Sequence, residues 1–385
     1  MSAITLTKTF TATATLGAWV TALKAAGAGI GRRVPVPILA GVKLHVVGGV
    51  VQVSRYDYEV HTFAEVSGSM ASGGDVLVDH KMFLDLLVTA GKRATKRISD
   101  GWTVDAYMDG HAFKIDVNGS TFTMSTLPEE EFPVRPMEDA EAAFSVDAAT
   151  FIRRMDSALV AVSTDDTLPI LTGIKMEIAN RELSLLATDR YRLVVADMPV
   201  NTEIERSFLL KAKVWAAFKK VLNAKGEPIV IRFDDRHIAF RQGALELTAL
   251  GLDGDFPRIR SLFPDSTEIQ FEMDADLLAA HVKTVSVTAE RNTPVRFTYN
   301  GIDSLRVDAG TGENVQAQAF MPYTSEHGNR GFSVAFNPHY LLEALKDFKG
   351  ETVRINHTSA PKPAQLSSAD SNQRHLIMPV RLPSA

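Results

Sequence analysis

Five lysines crowd one stretch of this chain: Lys211, Lys213, Lys219, Lys220 and Lys225 fall within fifteen residues with no acid between them. Cations at that density suit the neutralisation of phosphate groups, which attracts nucleic acid without reading its bases. Lysine is also a good helix former, so a solvated helix face accounts equally well for this window taken alone. The other candidate chemistry is thin. Asp165-Asp166 and Asp234-Asp235 are paired acids, but adjacent acids on a loop face water and become an acid–base pair only where a fold brings them to a substrate. The histidines never take an HExxH or other metal-ligand spacing, and there is no cysteine to form a thiolate site or a disulfide. Gly27-Ala28-Gly29-Ile30-Gly31 is only loosely like a phosphate-binding loop and is followed by no Lys-Ser/Thr pair. We therefore expect no catalytic residues, no metal and no cofactor.

The lysine cluster belongs to a wider pattern. Helical spacing of apolar residues marks six windows, 13–27, 80–93, 148–162, 211–225, 274–286 and 338–349, which together hold fourteen Lys and Arg against six Asp and Glu. The whole chain has a formal net charge of −5, so everything outside the helices is strongly acidic. Lys24, Lys81 and Arg153 join Lys211, Lys213, Lys219 and Lys220 as candidate phosphate contacts. Helices sharing one surface would set a positive field inside an acidic shell.

The windows recur because the chain repeats. Val36-Pro37-Ile38-Leu39-Ala40-Gly41 is matched by Leu168-Pro169-Ile170-Leu171-Thr172-Gly173, and Thr293-Pro294-Val295 is a weaker echo. The period is close to one third of the 385 residues and near the usual domain size. Each third reads as a doubled β-α-β-β-β unit, with strands such as Ala143–Val146 and Ile269–Glu272 leading into helices, and Asp147 and Asp274 as candidate N-caps. The expected domains are 1–137, 138–265 and 266–385, in an α+β fold. No stretch reaches the roughly 20 apolar residues of a membrane span, and the N-terminus lacks a basic start followed by an apolar run. Both favour a cytoplasmic protein without a membrane partner.

Several motifs, in order along nearly the whole chain, carry a family resemblance. Leu186-Ala187-Thr188-Asp189-Arg190-Tyr191-Arg192-Leu193 and the C-terminal Leu376-Ile377-Met378-Pro379-Val380-Arg381-Leu382 are the most specific. Phe256-Pro257 and Phe336-Asn337-Pro338-His339-Tyr340-Leu341 add to them. On these residues the sequence resembles the bacterial DNA polymerase III beta sliding clamps, with an actinobacterial flavour. The resemblance implies a ring of three-domain subunits joined head to tail as a homodimer, helices inside and sheets outside, encircling duplex DNA without sequence preference. It implies a tether and not an enzyme. Its partners are the DNA polymerase III alpha subunit, the clamp loader and other clamp-motif proteins; an accessory phage or resistance paralogue is the alternative within the same fold.

The resemblance also implies a peptide pocket between the second and third domains, formed by Leu171, Thr188, Arg190, Tyr191, Arg192, Leu193, Pro257, Leu262, Asn337, Tyr340, Ile377, Met378, Pro379, Val380, Arg381 and Leu382. There Asn337, Arg192 and backbone groups would fix a peptide over an apolar groove. Arg33 matches a DNA-contacting arginine of the family. The chain departs from the pattern at Pro169 and Ile170, where some clamps have DNA-contacting tyrosines, and at Arg190, where a small residue is common. It departs again at Asn292, at Pro361 and Pro363, and in the Pro383-Ser384-Ala385 tail.

Overall fold

The computed structural model describes residues 9–31, 34, 36–137, 142–264, 269–287, 293–299, 304–309, 317–325, 332–357 and 362–381. Arg33, Asn292, Pro361, Leu382 and the Pro383–Ala385 tail lie outside the described residues.

The first third of the chain holds β1 (Phe10–Thr15), α1 (Leu16–Ala26), β2 (Gly41–Val47), β3 (Val50–Tyr56), β4 (Val60–Glu65), β5 (Met70–Gly73), β6 (Val76–Asp79), α2 (His80–Gly91), the short α3 (Lys96–Ser99), β7 (Thr103–Asp109), β8 (Ala112–Val117) and β9 (Ser120–Ser125). The second holds β10 (Ala142–Val146), α4 (Ala148–Leu159), β11 (Gly173–Ala179), β12 (Glu182–Thr188), β13 (Arg192–Pro199), β14 (Arg206–Lys211), α5 (Ala212–Phe218), β15 (Ile229–Phe233), β16 (His237–Gln242) and β17 (Leu245–Leu250). The third holds β18 (Ile269–Asp274), α6 (Ala275–Val287), β19 (Val295–Tyr299), β20 (Ser304–Ala309), β21 (Ala317–Pro322), β22 (Thr324–Ser325), β23 (Phe332–Phe336), α7 (Pro338–Leu345), β24 (Thr352–His357), β25 (Ala364–Ser368) and β26 (Ser371–Ile377). Setting aside the short β5, α3 and β22, this is the β-α-β-β-β unit six times over.

The turn from strand to helix is abrupt and is fixed by caps. The Thr15 hydroxyl accepts from the Ala18 N–H, the Asp79 carboxylate from Met82, and the Asp274 carboxylate from Leu277. Each satisfies an orphan donor of a first helical turn. Pro37 and Pro169 both open short 3-10 turns that end at Gly41 and Gly173. These glycines repeat because packing needs them: a Cβ at either would sit 2.8 Å from a leucine methyl, of Leu77 and Leu209 respectively. The third echo, at Pro294, runs directly into β19.

Among the described residues the strands form four antiparallel sheets whose order exchanges the two units of each third. β1 pairs not with β2, the next strand, but with β5 and β7, giving β5-β1-β7-β8-β9. β6 in turn closes β2-β3-β4. That second sheet continues through β4 and β17 into β16, β15 and β10, making eight strands. A nine-stranded sheet, β14-β11-β12-β13-β26-β25-β24-β18-β22, crosses from the second third to the last at β13 and β26. The fourth sheet is β21-β20-β19-β23. Consequently the chain gathers into two compact units, Met1–Ala149 with Lys213–Gly251 and Thr150–Ala212 with Leu252–Ala385, a division that passes through the second third.

Helices pack against these sheets. In the first third Trp19 of α1 and Phe83 of α2 are fully buried, with ring centroids 5.4 Å apart, and Phe83 meets Phe113 of β8 edge-on at 5.6 Å. The last third repeats the plan, with Leu278 and Val282 of α6 and Leu341 of α7 in one core with Phe297 and Phe336. Buried aromatic and aliphatic side chains of this size contribute roughly 1.5–3 kcal/mol each, so the paired helices are clamped to their sheets. No described helix is long and apolar enough to cross a membrane.

Candidate binding pocket and basic surface

The pocket is assembled from four separate pieces of the second unit. β13 and β26 form its base, with Arg192 opposite Ile377 and Leu193 opposite Leu376. The ladder extends one step further, the Met378 N–H donating to the Tyr191 carbonyl at 2.8 Å. The turn from Thr188 to Arg192 forms one wall and is held by its own side chains. The Asp189 carboxylate accepts from the Tyr191 and Arg192 amides at 3.0 and 2.9 Å, and the Thr188 hydroxyl donates to the Arg192 carbonyl. The 3-10 turn containing Leu171 and the segment from Pro257 to Leu262 complete it.

The cavity measures about 430 Å³. Of the residues expected there, Leu171, Thr188, Arg190, Tyr191, Arg192, Leu193, Pro257, Leu262 and Met378 line it. Tyr191, Leu262 and Met378 are exposed despite their apolar bulk, at 57, 56 and 40%. A cluster of Leu186, Leu193, Val195, Ile259 and Leu376 lies beneath them. Large apolar groups left open over a firm floor are what a binding groove requires.

Asn337, Tyr340, Ile377, Pro379, Val380 and Arg381 are not among the residues that line the cavity. Asn337 caps α7, its side chain accepting from the His339 amide at 2.9 Å. Ile377 is buried in the core of the last third. Tyr340 lies under Arg192, whose guanidinium carbon is 4.3 Å from the ring centroid; burial raises the phenol pKa. Pro379, Val380 and Arg381 continue past the cavity, with the Val380 N–H bonded to Ala335 of β23. Arg192 is itself committed: its Nε donates to Asp189 at 3.0 Å and its Nη1 to Glu343 of α7 at 2.5 Å. Ile259, Leu376 and Pro363 also line the cavity. Ile259 sits two residues beyond the motif proline, where its own amide bonds back to the Pro257 carbonyl, so only its spacing from that proline signals it.

The expected phosphate contacts are partly brought together. In the first unit Lys24 of α1 and Lys220, far apart in sequence, are both exposed and line one groove of about 560 Å³ with Thr21 and Gln242. Lys24 also borders a smaller cavity, about 250 Å³, with Lys92 of the turn after α2 and Lys96 of α3. The stretch from Lys92 into the start of α3 carries four exposed cations, Lys92, Arg93, Lys96 and Arg97, of which Lys96 and Arg97 fall outside the expected helical windows. The expectation that the basic residues sit within helices needs correction for four of the five clustered lysines: Lys211 ends β14, Lys225 lies beyond α5, and so do Lys219 and Lys220. α5 ends at Phe218, and the two lysines follow in a turn whose Lys220 amide reaches the Ala217 carbonyl. Lys81 is exposed and paired with Asp85 at 2.5 Å, and Arg153 is exposed on α4. Lys211 ends β14, and Lys213 is exposed in α5.

Among the described residues no three His, Asp or Glu are grouped to hold a metal ion. The paired acids are tied into turns: Asp234 accepts from the Arg236 and His237 amides, and Asp165 from Thr167.

Comparison with known proteins agrees across the chain. Residues 16–136 match the N-terminal domain of the DNA polymerase III beta subunit, 145–258 its central domain and 260–381 its C-terminal domain. The beta sliding clamp of Micrococcus luteus is 33% identical over 298 residues, covering 76% of this chain and 93% of that protein. That of Streptomyces coelicolor is 31% identical over 366 residues, covering 91% and 93%. The crystal structure of the Caulobacter crescentus beta sliding clamp superposes with a TM-score of 0.87 at 22% identity, covering 98% of this chain and all of that one.

Proposed function

Because the chain belongs to the DNA polymerase III beta-subunit family, the beta sliding clamps, we propose that it is a processivity clamp, a closed ring that surrounds duplex DNA and tethers the replicative polymerase to it. The observation that carries this reading is the tandem match of all three clamp domains over residues 16–381, laid on a six-fold repeat of one structural unit. The three domains are assigned as 1–137, 138–265 and 266–385. The protein acts as a tether in the cytoplasm, without a cofactor and without chemistry of its own.

Two features support ring closure by a second copy. Among the described residues the sheets of the first and last thirds each end at an edge strand, β9 and β21, and β21 holds Phe320 exposed at 57%. An edge strand offers a row of unpaired backbone donors and acceptors. Pairing β9 of one copy with β21 of the other, at both ends, is a head-to-tail contact that closes. The basic residues Lys24 and Lys220 on one groove suit loose contact with phosphates, which carries no sequence information. Topological linkage then removes the need for tight binding, and the ring slides. The pocket beside β13 and β26 takes linear segments of the polymerase III alpha subunit, the clamp loader and other clamp-motif proteins.

Loading the protein on nicked circular DNA and then linearising the DNA tests the ring. Release on linearisation is the expected result; retention unchanged by linearisation would overturn it. Primer extension by the polymerase, with and without the protein, separates a replicative clamp from an accessory paralogue.

A further inference from the structure

We infer that the pocket contains a carboxylate subsite at Arg190, so that the segments it accepts pair an apolar anchor with a negative charge. This rests on the reading of the cavity as a peptide site and adds what that site selects.

The two arginines of the pocket turn are held very differently. Arg192 is 11% exposed in its side chain and is consumed by Asp189, Glu343 and the Tyr340 ring. Arg190 is 56% exposed, and its ion pair is with Asp165 at 3.6 Å, outside hydrogen-bond reach. Asp165 has little need of it. The same carboxylate accepts from the Thr167 hydroxyl at 2.6 Å and from the Thr167 amide at 3.0 Å. Those two bonds hold the Asp165 carboxyl below its ordinary pKa, and the charge of Arg190 contributes least. The guanidinium can therefore leave Asp165 for a better-placed acid without stranding it.

The backbone adds an independent argument. Arg190 has φ +80°, a left-handed conformation that glycine adopts freely and a side-chain-bearing residue adopts at a cost. The turn is already fixed by Asp189 and Thr188, so the arginine is not there for the turn's sake. What it adds is a long cation, uncommitted unlike Arg192, at the edge of a cavity whose apolar lining includes Leu171, Leu193, Pro257, Leu262 and Met378. A guanidinium presents a planar fork that suits a carboxylate held by two parallel bonds. The carboxylate can come from an Asp or Glu side chain or from a peptide C-terminus.

The test uses the full-length protein and short fluorescent peptides with two adjacent large apolar residues as anchor, chosen to fill the apolar cavity. Glu or Gln is placed in turn at each flanking position, and each peptide is made with a free or an amidated C-terminus. At one position the Glu peptide should bind the wild type about three- to tenfold tighter than its Gln twin, and the ratio should shrink as salt is raised. If the terminus is the source, the free-acid and amide forms will show that ratio instead. In Arg190→Gln and in Arg190→Gly the ratio should fall to one. A ratio of one throughout in the wild type, or a ratio that persists in both variants, would overturn the subsite. Failure of every peptide to bind would instead overturn the pocket reading beneath it.

Discussion

Arg192 and Glu343, 151 residues apart in sequence, meet through a 2.5 Å ion pair that ties the pocket turn to α7. Both are largely shielded, with side chains 11 and 23% exposed. Because the same guanidinium also holds Asp189 and lies over Tyr340, the pocket wall and its support are one structure.

Replacing Arg192 with Ala should therefore act on stability as well as on peptide binding. Two partly buried carboxylates lose their partner, at a cost of about 2–4 kcal/mol. Met378→Asp removes an apolar contact at the exposed lip and should cut peptide affinity by about tenfold or more with little change in denaturation midpoint. Chemical denaturation beside peptide titration distinguishes them; equal stability of the two variants would contradict the structural role of Arg192.

Glu246 on β17 is wholly buried and bridges Arg232 of β15 and Arg135, whose guanidinium also lies 4.7 Å from the Phe63 ring centroid. Glu246→Ala removes the buried carboxylate that both guanidiniums share and should cost about 3–5 kcal/mol. Changing all three residues to apolar ones of similar size should recover most of that loss. Thermal unfolding of the single and triple variants reads both effects.

Two buried histidines make the first unit sensitive to acid. Burial, and then the charge of Arg135, depresses His61 to about 3; burial, and then Arg55, depresses His80 to about 4. Both are neutral in the native state, whereas the unfolded chain takes up protons below about pH 6.5. Their contribution is complete above that value. It falls by about 1.4 kcal/mol per pH unit for each histidine as the pH drops, until the folded pKa is reached. Denaturation midpoints measured from pH ~7.5 down to ~5 should show this slope, and His61→Gln should remove about half of it.

DNA association should lose salt dependence when Lys211, Lys213, Lys219 and Lys220 are changed to Ala. Each phosphate contact contributes about 0.9 to the log–log slope. A second set, Lys24, Lys92 and Lys96, tests the cavity they share after α2. An unchanged slope in either variant places that set away from the DNA.

Much of the architecture is legible because it is local. Pro37 with Gly41 and Pro169 with Gly173 mark the repeat, and Asp274 caps its helix as its position before the apolar run suggests. Pairing is not local. Nothing in β1 announces that it joins β7 in preference to β2, since that depends on where the second helix of the unit lies. The pocket was half legible for the same reason. The turn from Thr188 to Leu193 and Met378 are readable as motif, but Asn337 spends its side chain on a helix end, and Ile377 alternates inward with the strand while Met378 beyond it turns out.

The ladders that join β4 to β17 and β13 to β26 cross the borders at which the sequence repeats. Inheritance and mechanics thus divide this chain at different places. A fragment cut at residue 265 would keep β13 but lose β26, leaving a raw row of amides and carbonyls from Arg192 to Ala196 and half a pocket. Single thirds are then poor modules for excision or grafting, although each is a complete copy of the ancestral pattern. Backbone pairing makes these borders stiff, whereas β9 and β21, at the ends of their sheets, can gain a neighbour without disturbing any ladder already made.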